Sequence, residues 1–324
     1  MPMKLPDLAA IEAATGTVRA VMPPTPAHCW PLLCARTGAE VWVKHENHSP
    51  IGAFKIRGGL VYMDRLRRTE PAVEGVIAAT RGNHGQAIAT AARRNGLASV
   101  IVVPEGNSRE KNAAMQAQGG ELIVHGSDFQ EALEHAEALA DARGLHMVAS
   151  FAEPLIHGTA TYALEFFRAV PDLETVYVPI GLGSGISGVI AARDALGLAM
   201  EVVGVCAENA ACYALSYEAG KPVSTNFADT MADGMACRVP APDAVAVVNR
   251  GAARIVTVSE AEIEAAMRAY YTDTHNIAEG AGAAALAALI KERETMAGRR
   301  AGLVLSGGNI DREVYLRVLG GGDA

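Results

Sequence analysis

The residues able to do chemistry gather around one lysine and a set of short turns. In Ser49-Pro50-Ile51-Gly52-Ala53-Phe54-Lys55-Ile56-Arg57-Gly58-Gly59, Lys55 stands between an aromatic and a β-branched residue, with small residues on both flanks. Most lysines are solvated surface charges. An apolar pocket penalises the ammonium form, so a lysine held there shifts toward the neutral amine, the nucleophile of Schiff-base chemistry. Lys55 is therefore read as a group that binds a carbonyl covalently. The glycines beside it, having no Cβ, are expected to let a flat ligand approach the backbone.

Two glycine-containing turns offer anion sites. Thr80-Arg81-Gly82-Asn83-His84-Gly85-Gln86 follows a predicted strand and precedes a helix, so its N–H groups and side-chain amides suit a carboxylate. Taken alone it is equally an ordinary strand-to-helix connection. Gly181-Leu182-Gly183-Ser184-Gly185-Ile186-Ser187-Gly188 follows Val178-Pro179-Ile180 and opens a helix toward Leu196, as a phosphate cradle does. A dinucleotide fingerprint shares the G-x-G after a strand but wants an acidic residue at the end of the next strand, roughly 20 residues on. Glu201 has the spacing but begins that strand, and Glu208 ends it but lies too far along. Ser306-Gly307-Gly308-Asn309, after Gly302 to Leu305, is by itself only a turn.

Alternating elements must position these turns. A helix is expected from Leu8 to Val21, stopped by Pro23-Pro24, followed by an extended segment from Thr25-Pro26 to Val41-Trp42-Val43-Lys44. Leu60, Met63 and Leu66 recur at three-residue spacing, which puts Lys55 at or near a helix N-terminus. Strands at Val76 to Ala79, Ala98 to Val103, Glu121 to Val124 and Met147 to Ser150 alternate with helices at Gln86 to Asn95, Ser108 to Gln118 and Phe129 to Arg143. The pattern continues with strands at Thr175 to Pro179, Val202 to Cys206, Ile255 to Val258 and Gly302 to Leu305, and a helix from Ser259 to Tyr270. Such alternation means parallel βαβ units. The expected architecture is α/β with two parallel-sheet domains: a large one from 1–70 and 153–324, and a small one from 71–152 inserted into it. Ligands in these sheets bind outside the carboxyl ends of the strands, which places the site in the cleft between the domains.

Composition excludes several classes. A net charge of −8, without a Lys/Arg cluster, argues against a nucleic-acid surface. The N-terminus has neither a signal core nor a membrane span, so a cytoplasmic enzyme acting on a small molecule is expected. Five cysteines without paired short spacings, and His28, His45, His48 and His275 without ligand spacing, indicate no disulfide framework, zinc site or other metal.

Ala53-Phe54-Lys55-Ile56-Arg57-Gly58-Gly59 resembles the S-F-K-x-R-G-A motif of the fold-type II pyridoxal-phosphate enzymes, with Ala53 and Gly59 as small-for-small departures. The turn at Gly82, Asn83, His84 and Gln86 resembles that family's S-G-N-H-x-Q; Ser306 to Asn309 matches its S-G-G-N; Gly181, Gly183 and Gly185 loosely fit its glycine-rich phosphate loop. Ala278 to Ala283 resembles E-P-S-G-A with Gly280 for proline, and Ala232-Asp233-Gly234 resembles A-D-G. The motifs run in the family's order from Thr25-Pro26 to Asn309.

The resemblance implies pyridoxal 5′-phosphate on Lys55, the catalytic lysine, with Phe54, Asn83, Gly181, Leu182, Gly183, Ser184, Gly185, Glu279 and Ser306 around the cofactor. Thr80, Arg81, Gly82, Asn83, His84 and Gln86 would then hold the substrate. It further implies a homodimeric serine/threonine dehydratase of the catabolic kind, since the chain stops soon after Ser306. Some members bind a divalent cation, but Glu208 is followed by no aspartate, so none is expected here. Arg81 replaces the serine that is the second acid/base of this family's serine racemases. An arginine is no base near neutral pH, so racemisation is disfavoured, and a bidentate grip on a second carboxylate, as in 3-hydroxyaspartate, becomes open. A β-aryl serine is a further substrate alternative. From other classes, a nicotinamide dehydrogenase and a cofactor-free binding protein stay as rivals; both would be colourless.

Overall fold

The computed structural model describes residues 3–322. Ten strands form two sheets: β1 (Ala27–Cys29), β2 (Glu40–His45), β3 (Gly75–Ala79), β4 (Ala98–Val103), β5 (Glu121–Val124), β6 (His146–Met147), β7 (Thr175–Pro179), β8 (Glu201–Ala207), β9 (Arg254–Val258) and β10 (Arg300–Leu305). One sheet has the order β1-β2-β10-β7-β8-β9 and the other β5-β4-β3-β6. All pairs are parallel except β1 with β2. The central strands are apolar on both faces, as parallel strands between helical layers must be: β3 is buried at every position.

The order places the loops. β2, β10 and β7 are neighbours, with Leu303 in register with Val43 on one side and Tyr177 on the other. Their carboxyl ends release, side by side, the segment leading to Lys55, the turn at Ser306 and the turn at Gly181. From the second sheet, β3 releases the turn at Thr80. The four turns come together although up to 250 residues separate them (Lys55 to Leu305, by subtraction).

Three expected elements differ. Between Thr25 and Val41 the chain is not extended throughout: β1 is followed by a helix, Pro31–Thr37, with Pro31 in its first turn and Gly38 closing it at φ 73°. Its seven residues are too few to show a 3.6-residue apolar period. The strand expected at Met147 to Ser150 is only His146–Met147, paired with Val76 and Ile77 at the sheet edge. The helix expected from Gln86 begins at Asn83, so Asn83 and His84 lie in its first turn.

Helices Leu8–Arg19 and Lys55–Thr69 share one core with β3, β4 and helix Asn83–Arg94, through residues such as Val18, Ile56, Leu60, Val76 and Ile88. Among the described residues no helix is long and apolar enough to cross a membrane. The five cysteines are free thiols; Cys29 and Cys34 are half-buried with their sulfurs 3.6 Å apart.

Candidate active site

Lys55 is the first residue of helix Lys55–Thr69. Its Nζ lies 3.3 Å from Ser184 Oγ and 5.0 Å from the centre of the Phe54 ring. Burial lowers the amine from its usual range to about 8. The preceding segment is stitched to the turn after β10. Phe54 N–H donates to the Ser306 carbonyl at 3.0 Å, Gly308 N–H to the Gly52 carbonyl at 2.9 Å, and Ala53 bridges Gly307. Gly52 turns at φ 69°, a conformation that L side chains rarely adopt, and Asn309 Oδ1 fills the place of its missing Cβ.

The glycines after Lys55 have another use than the one expected. A Cβ on Gly58 would sit 3.0 Å from the Leu155 carbonyl oxygen, and one on Gly59 would sit 2.9 Å from that of Ala87. They let helices Glu153–Ala169 and Asn83–Arg94 close onto the lysine helix, so a neighbouring backbone, and not a flat ligand, occupies the space. Sequence spacing shows that room is needed without showing what fills it.

The Gly181 turn is the N-terminal approach to helix Ser184–Ala195. Gly183 has φ 99°, Gly181 packs against the Gly234 carbonyl with no room for a Cβ, and Gly185 faces the Phe54 ring. Tyr213 Oη donates to the Leu182 carbonyl at 2.8 Å and Tyr162 Oη to that of Gly185 at 3.3 Å, which pins the loop on two sides. The helix N-terminus behind Ser184 is a natural seat for an anion.

On the turn after β3, Thr80 Oγ1 accepts from Gly82 N–H at 3.0 Å. His84 and Gln86 are buried, and His84 Nε2 and Gln86 Nε2 have no hydrogen-bond partner. Burial, with Lys55 nearby, lowers the His84 imidazole to about 3, so the ring is neutral. Arg81 is half-buried and makes no ion pair or side-chain hydrogen bond. Among the described residues it is the sole arginine that is not exposed and lacks such a partner. Among the described residues, then, no structural ion pair accounts for Arg81.

Asn83 joins three of the segments. Its Nδ2 donates to Glu279 Oε1 at 2.6 Å, and its Oδ1 accepts from Asn309 Nδ2 at 2.8 Å. Glu279 and Ser306 are buried, and a Cβ on Gly307 would lie 2.3 Å from Glu279 Oε1.

Two groups escape sequence reading. Lys111, from helix Arg109–Ala117, reaches Asp233 Oδ2 at 2.5 Å and Glu279 Oε2 at 3.2 Å. It sits in a polar stretch, Arg109-Glu110-Lys111-Asn112, and resembles any surface lysine. Arg57, fully buried behind Lys55, bonds Glu46 (2.7 and 3.0 Å), Glu165 (2.8 and 3.1 Å) and Thr161 (3.0 Å), while Lys44 meets Glu165 at 2.8 Å. The arginine of the lysine motif is the available signal for that network. Of the histidines without ligand spacing, His45 is bonded to Trp30 and Asn47, and His48 to Asn276.

A family model for pyridoxal-phosphate dependent enzymes matches residues 18–307. An L-threonine ammonia-lyase of Thermotoga maritima is 33% identical over 313 residues, 96% of this chain and 78% of that protein. Among solved structures, the processed threonine deaminase isoform 2 of Solanum lycopersicum has a TM-score of 0.88 at 29% identity, covering 99% of this chain and 98% of that one. A pyridoxal 5′-phosphate-dependent aspartate racemase has a TM-score of 0.91 at 27% identity, covering 97% and 98%. The residues present fit the cofactor. A buried, weakly basic amine faces a hydroxyl at a helix N-terminus, the adjoining loop has glycines where a Cβ would collide, and the unpartnered, buried Nε2 atoms of His84 and Gln86 lie in the first turn of the helix after β3. Because that family model matches most of its length, residues 18–307, the chain belongs to the pyridoxal-phosphate dependent enzymes.

Proposed function

We propose that this protein is a dehydratase (ammonia-lyase) that converts an L-β-hydroxy amino acid of the threonine or serine type into a 2-oxo acid and ammonia by α,β-elimination of water. The observation that carries the reading is Lys55: a buried amine lowered to about 8, with a hydroxyl as its near neighbour; in the turn after β3 the sequence has Arg81 where the serine racemases that it resembles have their second base. When bound, pyridoxal phosphate supplies an aldehyde that couples to amines and a conjugated ring that takes up the electron pair left at Cα.

In this reading Lys55 holds the cofactor at rest, Gly181, Leu182, Gly183, Ser184 and Gly185 hold its phosphate, and Phe54 and Asn83 border the ring. Ser306 would face the ring nitrogen and, being neutral, would favour elimination over transamination. Glu279 acts on the site through Asn83. The N–H groups of the turn Thr80 to Gln86 would orient the substrate carboxylate. With substrate bound, the Lys55 amine, free, would be the base that removes the Cα proton. The β-hydroxyl leaves as water, the released enamine becomes an imine, and a second water hydrolyses it. One water leaves and one enters, so the net change is loss of ammonia with the carbon chain internally oxidised at Cα and reduced at Cβ.

Lys55→Ala should abolish both turnover and the visible absorbance of the lysine-linked cofactor; a variant that keeps either refutes the assignment. A colourless wild-type protein would return the choice to a dehydrogenase or a binding protein, which a dinucleotide titration separates.

A second reading concerns the substrate. An unpaired, half-buried Arg81 on the carboxylate turn suits a substrate with a second carboxylate, 3-hydroxyaspartate, and a structural neighbour of this fold is a racemase of the dicarboxylic amino acid aspartate. Turnover of threonine, serine and the hydroxyaspartate diastereomers by the native enzyme and by Arg81→Ser tests this. Preference for a hydroxyaspartate, lost in Arg81→Ser, is expected; efficient use of threonine with no hydroxyaspartate turnover would end the idea.

The domain division 1–70 with 153–324 and an inserted 71–152 belongs to the same proposal, supported by a four-stranded sheet whose strands all fall between Gly75 and Met147. Homodimeric assembly and a cytoplasmic location complete it; gel filtration of the purified protein checks the former.

A further inference from the structure

We propose that Lys111 is a positioning residue of the active site: its ammonium group keeps the buried Glu279 carboxylate ionised, and that carboxylate holds the Asn83 amide in one orientation. This rests on the cofactor site proposed above.

The geometry is a relay with both ends tied. Lys111 Nζ bonds Glu279 Oε2 at 3.2 Å, Glu279 Oε1 accepts from Asn83 Nδ2 at 2.6 Å, and Asn83 Oδ1 accepts from Asn309 Nδ2 at 2.8 Å. Asn309 Nδ2 is itself anchored on the Ile51 carbonyl at 2.8 Å, four residues before Lys55. An ionised carboxylate only accepts hydrogen bonds, so it forces the NH2 end of Asn83 toward itself and leaves one N–H of that group for the cleft. A protonated Glu279 carries an O–H that can donate to Asn83 Oδ1, and the amide is then free to turn over.

What decides the state of Glu279 is the balance around it. The titratable groups facing it are Lys111 from helix Arg109–Ala117 and Asp233 from the short turn Asp233–Met235; Asn83 and the Gly307 backbone do not titrate. Burial and the Asp233 charge push the Glu279 carboxyl up, and it stays above the usual carboxylate range even with Lys111 in place; against them stand the Asn83 hydrogen bond and, as the one cation among the described residues that bonds it, Lys111. Lys111 itself stays charged: burial alone would lower it, and the two carboxylates more than reverse that. Its stem lies on the substrate turn, where a Cβ at Gly82 would be 2.5 Å from Lys111 Cδ. With the lysine side chain 6% exposed and Glu279 3%, solvent cannot replace the cation if it is removed.

The test compares wild type, Lys111→Met, Lys111→Arg and Glu279→Gln as pyridoxal-phosphate holoenzymes. It measures the cofactor dissociation constant, the pH dependence of the visible absorbance without substrate, and kcat/KM for L-threonine across the neutral pH range. Lys111→Met should bind the cofactor more weakly and gain an acid-side loss in absorbance and kcat/KM that wild type lacks, roughly tenfold per pH unit below the new midpoint. Lys111→Arg should restore the wild-type profile, and Glu279→Gln should show a loss that does not vary with pH. A Lys111→Met enzyme with wild-type profiles, or with a pH-independent loss that arginine does not repair, overturns the proposal. If Lys111→Met does not fold, Glu279→Gln decides: wild-type cofactor affinity, absorbance and kcat/KM in that variant overturn it, and their loss supports it. Because binding and absorbance are read without substrate, a wrong substrate assignment leaves this outcome legible; a wild type that takes up no cofactor would instead sink the parent reading.

Discussion

The amine of Lys55 is lowered to about 8 because burial removes water from the ammonium form and, among the described residues, no carboxylate compensates; its polar neighbour is the Ser184 hydroxyl at 3.3 Å. Below about pH 8 the amine is protonated and cannot attack an aldehyde. The rate of cofactor capture by apoprotein should therefore rise about tenfold per pH unit toward that value and level off above it. Stopped-flow absorbance on mixing apoprotein with pyridoxal phosphate measures this, and a midpoint near that of an ordinary lysine would show that the pocket does not lower the amine. The apolar neighbours Phe54 and Ile56 made this amine legible in the sequence. Lys111 was not legible, since its partners Asp233 and Glu279 lie 122 and 168 residues away and its own neighbours are polar. Asn83 stands between these cases: its motif marks it, but its bonds to Glu279 and Asn309 are set by the fold.

At the scale of elements, the helix that begins with Lys55 is placed by close backbone contact. A Cβ on Gly158 would lie 2.2 Å from the Arg57 carbonyl oxygen and 2.6 Å from Gly58 Cα, so helices Glu153–Ala169 and Lys55–Thr69 meet through bare backbone. Gly158→Ala should force them apart, at a cost of about 1–3 kcal/mol or more in a urea titration, and should weaken cofactor binding because the start of the lysine helix shifts. Wild-type stability in that variant would mean that the contact yields readily. Arg57, whose own backbone makes that contact, also makes the helix expensive to misplace, because its side chain is fully buried against Glu46 and Glu165. Helix and strand periods predicted most elements here, yet missed Pro31–Thr37, which has too few residues to display a period.

For the whole molecule, the site draws on turns from both sheets, so a ligand held among them binds the folded chain and not the unfolded one. Stripping the cofactor should lower Tm, and adding it back at about 100 times its Kd should restore about 2.7 kcal/mol of stability. A Tm indifferent to the cofactor, by differential scanning fluorimetry, would place the ligand outside the fold's shared core. By itself the sequence determined the α/β class, the parallel strands and the places of the glycine-containing turns, because period, glycine placement and residue type are local properties. The tertiary structure alone decided that β2, β10 and β7 lie side by side and release their turns together, that Gly58 and Gly59 admit helices and no ligand, and that among the described residues Arg81 has no side-chain partner while Lys111 has two. The physical reason is range. Strand order, backbone contact and buried charge pairing join residues tens to hundreds of positions apart, and such pairings leave no mark on the neighbouring residues of the chain.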